Sequence, residues 1–254
     1  MNKSYRKQGY CVVKGFFNDA ELSELRAVAL DYHHLWKQKN KEFYASKAVN
    51  SAYLTSTDFL TEPQRAKLFQ FIASFKLMAV VNSLLAQPMF MNTQLFFNPK
   101  NKQQKNYWHR DPQYHLSLEE QVAALVGPEV IHFRIPLRDE LGLELIPGSH
   151  KNWDSEEELK VRLEREGKKN SDDLSAGVCI ALEAGDLLVF SANMIHRGLY
   201  GKERLALDIL FCDPEPALAG FIDSGCLPDK DLIGRLEDGS AFMQTLLIKG
   251  FDQK

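Results

Sequence analysis

The pattern of apolar and polar positions divides the chain into a helical first part and a strand-rich remainder. Asn18 and Glu21 form a capping box, and Leu22, Leu25, Ala29 and Tyr32 follow at helical spacing. A second helix is predicted from Thr61 and Pro63, with Leu68, Ile72, Phe75 and Met78 along its core-facing side. From Met89 the period changes. Short β-branched or aromatic segments, separated by Gly, Pro and polar turns, predict strands at 90–97, 106–111, 130–137, 143–146, 178–182, 187–191 and 205–211.

Two helical interruptions fall among these strands. Ser117 and Glu120 box the start of one. The other, 155–166, is charged nearly all round, with Glu156/Lys160 and Glu158/Arg162 pairs spaced i,i+4, and reads as a solvated surface helix. The tail beyond Asp213 is rich in proline, with short helices expected near Leu232 and Met243. No linker or repeat intervenes. The expected class is α+β with a mainly β core, as one domain over residues 1–254. Helical support spans about 18–86, a barrel core about 89–212 and a C-terminal extension 213–254.

Composition narrows the partners more than the chemistry. The 254 residues carry 31 Lys+Arg against 34 Asp+Glu, a net charge of −3, so nothing suggests the basic excess of a nucleic-acid binder. No apolar run reaches the roughly 18 residues that would cross a bilayer. The four cysteines, Cys11, Cys179, Cys212 and Cys226, are scattered without a C-x-x-C pair and read as reduced, mostly buried thiols. The start lacks the apolar stretch of a signal peptide, and a cytoplasmic protein is expected.

The seven histidines pose the sharper question. Only His109 has a carboxylate two positions on, in Trp108-His109-Arg110-Asp111. On a strand these two side chains share a face and can present a nitrogen and an oxygen to one metal ion. The third ligand has several candidates. His33 and His34 fall in the first helix, His115 in a loop, His132 in mid-strand, and His150 after a Gly-Ser turn that it could instead fix. His196 is favoured, because a strand delivers it and Arg204, eight residues on, could anchor an acid. Two histidines and one carboxylate on one side of Fe(II) leave positions for a chelating acid and dioxygen.

With these residues in place, the chain resembles the phytanoyl-CoA dioxygenase-like family of Fe(II)/2-oxoglutarate oxygenases. The matching segments are Tyr5 to Phe17, Trp108-His109-Arg110-Asp111, Ile146-Pro147-Gly148-Ser149-His150, Gly185-Asp186-Leu187-Leu188-Val189-Phe190, His196 and Arg204, spread over roughly residues 5–212. The resemblance implies a double-stranded β-helix, a cupin-like jelly roll, wrapped by the N-terminal helices. It implies iron held by His109, Asp111 and His196, with Arg204 on the distal carboxylate of 2-oxoglutarate, a task suited to the guanidinium fork. The implied reaction uses O2 to decarboxylate 2-oxoglutarate to succinate while a substrate C–H is hydroxylated. Halogenating relatives lack the carboxylate, so Asp111 favours hydroxylation.

Three positions depart from the family pattern. Gly198 stands where many members have a Ser that contacts 2-oxoglutarate. Asn98-Pro99-Lys100 replaces a Lys-Pro segment, and the turn Gly198-Leu199-Tyr200-Gly201 is short. By alternation and resemblance, Asn92 is expected on 2-oxoglutarate and Gln94 on the substrate. Tyr107, His115 and Arg134 are further pocket candidates. An inward Arg134 would place a fixed positive charge near the iron and select an acidic small molecule. Two other readings remain: a non-catalytic metal-binding barrel serving as sensor or scaffold, and a cupin-like metalloenzyme independent of 2-oxoglutarate, for which Arg204 would have no use.

Overall fold

The computed structural model describes residues 2–250. In chain order its elements are α1 (Asn2–Gln8), β1 (Tyr10–Val13), α2 (Asp19–Lys39), α3 (Lys41–Ser46), β2 (Asn50–Ala52), α4 (Glu62–Ile72), α5 (Phe75–Leu84) and β3 (Met89–Phe97). Then come α6 (Leu118–Ala124), β4 (Val130–Pro136), β5 (Glu140–Leu145), α7 (Glu156–Arg162), β6 (Val178–Leu182), β7 (Leu187–Ser191), β8 (His196–Gly198) and β9 (Leu205–Cys212). The tail carries α8 (Pro216–Ala219), α9 (Lys230–Ile233) and α10 (Ser240–Ile248).

The strands form two antiparallel sheets, a larger one ordered β1-β7-β4-β9-β3-β2 and a smaller one ordered β6-β5-β8. Alternation along the larger sheet assigns each face. Ile131, Phe133 and Ile135 of β4, Leu187 and Val189 of β7, and Leu207, Ile209 and Phe211 of β9 pack with α2, α4, α5 and α10 in one extended core. Each such buried aliphatic or aromatic side chain contributes about 1.5–3 kcal/mol relative to exposure. On the opposite face Leu188 and Phe190 meet Leu143, Leu145 and Leu182 of the smaller sheet. The remaining inward positions, among them Asn92, Gln94, His132, Arg134 and Asp208, line a cavity. This is the expected double-stranded β-helix, with helices covering one sheet.

Local signals account for most boundaries. The Asn18/Glu21 box is formed, with Asn18 accepting from the Glu21 amide and Glu21 accepting from the Asn18 amide. The Ser117/Glu120 and Ser155/Glu158 boxes are formed as well. Gly142 permits the irregularity in β5, where pairing with β6 shifts between Glu140 and Leu143. Its φ is +85°, and a Cβ there would lie 1.8 Å from the Ile180 carbonyl oxygen.

Several expectations are corrected. The second predicted helix is two, α4 and α5, bent by 51°. Ser74 interrupts the run by accepting from the Leu77 amide, which starts a new helix and turns Phe75 outward, 64% exposed. The segment 106–111 is not a strand: His109 makes an isolated bridge to His196, and a 3₁₀ turn begins at Asp111. In α7, Lys160 pairs with Glu156, but Arg162 turns inward to Asp154 while Glu158 caps Ser155. That helix is therefore partly buried. Cys11, Cys212 and Cys226 are buried free thiols, and Cys179 is an exposed one. Among the described residues no single helix is long and apolar enough to cross a membrane.

Candidate metal centre and cavity

His109, Asp111 and His196 come together although no continuous strand carries the first two. The amides of His109 and His196 each donate to the other's carbonyl, at 3.0 and 2.9 Å, and bring the two rings within 4.2 Å. Between the two predicted ligands, Arg110 points the opposite way. It is buried, pairs with Asp154, and donates to the carbonyls of Ser149, Asn152 and Asn193, so it ties the segment to the Pro-Gly-Ser-His turn. Alternation thus holds in direction without a strand.

Ligand atoms of the three residues lie within 4.8 Å of one another. Each histidine has its Nδ1 at a backbone carbonyl, Tyr107 for His109 (3.2 Å) and Met194 for His196 (3.0 Å). A proton on Nδ1 satisfies those carbonyls and leaves each Nε2 lone pair facing Asp111. Burial, and then the neighbouring His109, push the His196 pKa down to about 3, so its ring is neutral and able to ligate. These residues fit a divalent metal with open positions, as the two-histidine, one-carboxylate set requires.

Behind Asp111 runs a chain of buried charges on inward positions. Asp111 Oδ2 lies 2.7 Å from His132 Nε2, and His132 Nδ1 lies 3.2 Å from Asp208. Arg134 donates to Asp208 at 3.1 Å and to Glu140 at 2.8 Å, and Arg204 Nε donates to Glu140 at 3.1 Å. Burial opposes the charged form of Asp111, but the charge and hydrogen bond of His132 overcome it. The Asp111 carboxyl is held well below the usual range. For His132, burial lowers the pKa while Asp111 and Asp208 raise it further, to about 9. The His132 ring also stacks on Phe190, 4.6 Å between centroids.

Arg204 precedes β9 and is buried, and its Nη2 has no partner among the described residues. An orphaned guanidinium nitrogen in a buried site awaits an anion, and a carboxylate suits it. Gly198 packs directly on it. A Cβ at this position would lie 2.6 Å from Arg204 Nη2, so the expected serine would displace the fork as placed here.

The cavity has a volume of about 640 Å³ and includes every predicted site residue. Asn92 Oδ1 accepts from the Thr93 amide. Gln94 sits opposite Asp208 in the sheet, Tyr107 stacks near His109, and His115 lies farther out against Phe221. Arg134 is inward as expected and fully buried, yet Glu140 and Asp208 balance its charge. The reason given for an acidic substrate therefore lapses.

Sequence reasoning missed Glu140, Asp208 and Phe221. A lone aspartate in the apolar run Leu205-Ala206-Leu207-Asp208-Ile209-Leu210-Phe211 was the available signal for one of them. Glu140 beside a turn and Phe221 in the tail carried none.

The chain matches the family model described as Phytanoyl-CoA dioxygenase (PhyH) over residues 5–200. No curated protein matches it in sequence. Among solved structures it is similar to EctD from S. alaskensis with 2-oxoglutarate and 5-hydroxyectoine. The TM-score is 0.59 at 16% identity, over 83% of this chain and 74% of that one. AviO1 from Streptomyces viridochromogenes Tue57 aligns at TM-score 0.55 and 21% identity, over 84% and 93%. The non-heme alpha ketoglutarate dependent epimerase SnoN from nogalamycin biosynthesis aligns at 0.53 and 15%, over 84% and 79%. The fold is shared with these proteins, and the chain belongs to the phytanoyl-CoA dioxygenase family.

Proposed function

We propose that this family member is an Fe(II)/2-oxoglutarate-dependent dioxygenase that hydroxylates a small molecule, the whole chain acting as one oxygenase domain. His109, Asp111 and His196 hold the iron in this reading, and Arg204 takes the distal carboxylate of 2-oxoglutarate beside Asn92. The observation that carries it is the unpartnered, buried Arg204 Nη2 in the same cavity as the three ligands. A metalloenzyme that uses no oxo acid gives that nitrogen no purpose.

When bound, iron and 2-oxoglutarate would supply the oxidising power for hydroxylation, with O2 as oxidant and succinate and CO2 as co-products. The chain's residues position and shield. His132 takes Asp111 Oδ2 and so leaves Oδ1 toward the histidines. The carbonyls of Tyr107 and Met194 fix both imidazole tautomers. Glu140 grips Arg204 through Nε and leaves the outer nitrogens for the co-substrate. Phe190, against both His132 and His196, keeps water from one flank.

The test is anaerobic addition of Fe(II) and 2-oxoglutarate. The visible charge-transfer band of a chelated oxo acid is expected, weakened in His196→Ala and Arg204→Ala. No band at saturating 2-oxoglutarate would overturn the reading. Succinate formed in air, followed by mass analysis of hydroxylated product, separates hydroxylation from epimerisation, the activity printed for SnoN.

A further inference from the structure

We propose that the cavity takes an uncharged, predominantly apolar substrate, admitted across an aromatic rim that the C-terminal segment helps to build. This rests on the Fe(II)/2-oxoglutarate reading and names the substrate class that reading leaves open.

Charge is confined to the inner end. Among the described residues, the Asp, Glu, Lys and Arg side chains lining the cavity are Asp111, Arg134, Arg204 and Asp208, and His132 is held between Asp111 and Asp208. Arg134 and Arg204 share the carboxylates Glu140 and Asp208, and Asp111 faces the two histidines and His132. The free edge of Arg204 is the seat of the co-substrate. Among the described residues lining the cavity, no guanidinium or ammonium remains to receive a substrate anion, and no carboxylate remains to receive a cation. A charged substrate would lose its hydration in this cavity without gaining a partner.

The outer part is built from apolar surface. Met91, Leu116, Pro128 and Leu218 are among its lining residues. Tyr53, Tyr114 and Phe221 both line the cavity and reach solvent, at 42%, 52% and 46% exposed, which places them at its rim. Exposed aromatics gathered at one opening mark a binding surface rather than chance exposure. The cavity of about 640 Å³ is within the range of pockets for drug-sized ligands, with room beyond 2-oxoglutarate. The Gln94 side chain lines the wall, so the substrate meets at least one neutral hydrogen-bonding group there.

Leu218 and Phe221 lie beyond residue 200, where the family match ends. The ring of Phe221 sits 5.2 Å from that of His115, which joins the C-terminal segment to the loop just after the metal ligands. Substrate choice is therefore set partly by a segment that lies outside the family match.

The test uses two dyes with one skeleton: neutral N-phenyl-1-naphthylamine and its sulfonate, 8-anilinonaphthalene-1-sulfonate. They are titrated into anaerobic protein loaded with Fe(II) and 2-oxoglutarate, with the charge-transfer band reporting loading. The neutral dye should bind one per chain, tighter than the sulfonate by on the order of tenfold or more, the cost of burying an unpaired charge. Phe221→Ala and, separately, Leu218→Asp should weaken the neutral dye. Equal or tighter binding of the sulfonate, no binding of either dye, or binding untouched by both substitutions would overturn the substrate class. A missing band with the neutral preference intact would overturn the iron and 2-oxoglutarate reading alone.

Discussion

The two ends of the cavity are built on opposite principles. At the inner end, strand register fixes the supporting network, and one bridge to His196 holds the His109 segment against it. Arg134 lies opposite Asp208 across β4 and β9, and Gln94 opposite the same aspartate across β3 and β9. Buried charges there are paired to the last carboxylate. At the rim, side chains come from the loop after β2, the turn after Asp111 and the segment after α8, and they are aromatic and half exposed. A barrel can thus keep one chemistry at its base while short, separately variable segments choose what reaches it.

Substitutions at the two ends should separate cleanly. The largest effect is expected for Glu140→Ala, which strands the buried Arg204 guanidinium and takes one of two carboxylates from Arg134. Breaking a buried pair costs about 3–5 kcal/mol, which thermal denaturation would register as a fall on the order of 10 °C. A melting point near wild type would mean that the inner network does not work as a unit. Next is His132→Ala, which frees Asp111 Oδ2. Loss of such a partner weakens metal binding by about 10–100-fold, measurable by anaerobic Fe(II) titration. His132→Gln, which keeps one hydrogen bond, should recover part of that loss.

Gly198→Ser tests whether this inner end has departed from its relatives. The added Cβ meets Arg204 at 2.6 Å, so 2-oxoglutarate affinity should fall by on the order of tenfold, about the loss of one charged hydrogen bond. Stronger binding would show instead that the serine contact fits and the guanidinium moves.

A pH experiment supplies a control remote from both ends. His33 is buried against Phe97 and Tyr44, and burial followed by the charge of Lys37 lowers its pKa from 6.5 to about 4. Its folded pKa lies below the unfolded one, so its contribution is whole above about pH 6.5 and is lost as pH falls toward 4. Melting temperatures over that window should drop less in His33→Phe than in wild type. At the bottom of the scale, Phe221→Ala should change stability by less than about 0.5 kcal/mol, as expected for a half-exposed rim residue, while altering ligand binding.

The same contrast explains how far the sequence could be read. Inner residues announce themselves through spacing: His109 with Asp111, His196 with Arg204, and His132 with Arg134 follow alternation or motif order. Even where the strand at 106–111 was misassigned, the direction of its side chains survived, because a single bridge to His196 imposes it. Glu140 was illegible because its role depends on a turn that returns it under Arg134 and Arg204. Phe221 was illegible because α8 is held by tertiary packing, and nothing local says which loop it will meet. The outward Phe75 is the reverse case. Its period looked core-facing, but the Ser74 cap reset the helix and rotated the residue away.

The pairing of β1 with β7 has a further consequence, for the order in which the molecule can assemble. Tyr10 to Val13 align with Leu187 to Phe190, near the far end of the barrel sequence. β1 must therefore wait for a partner that lies most of the barrel away in sequence. Until β7 emerges, β1 has no partner, and until β1 arrives, β7 presents an open edge of buried apolar residues. Contacts so distant in sequence make for slow folding. Until β1 docks on β7, that edge is open to aggregation.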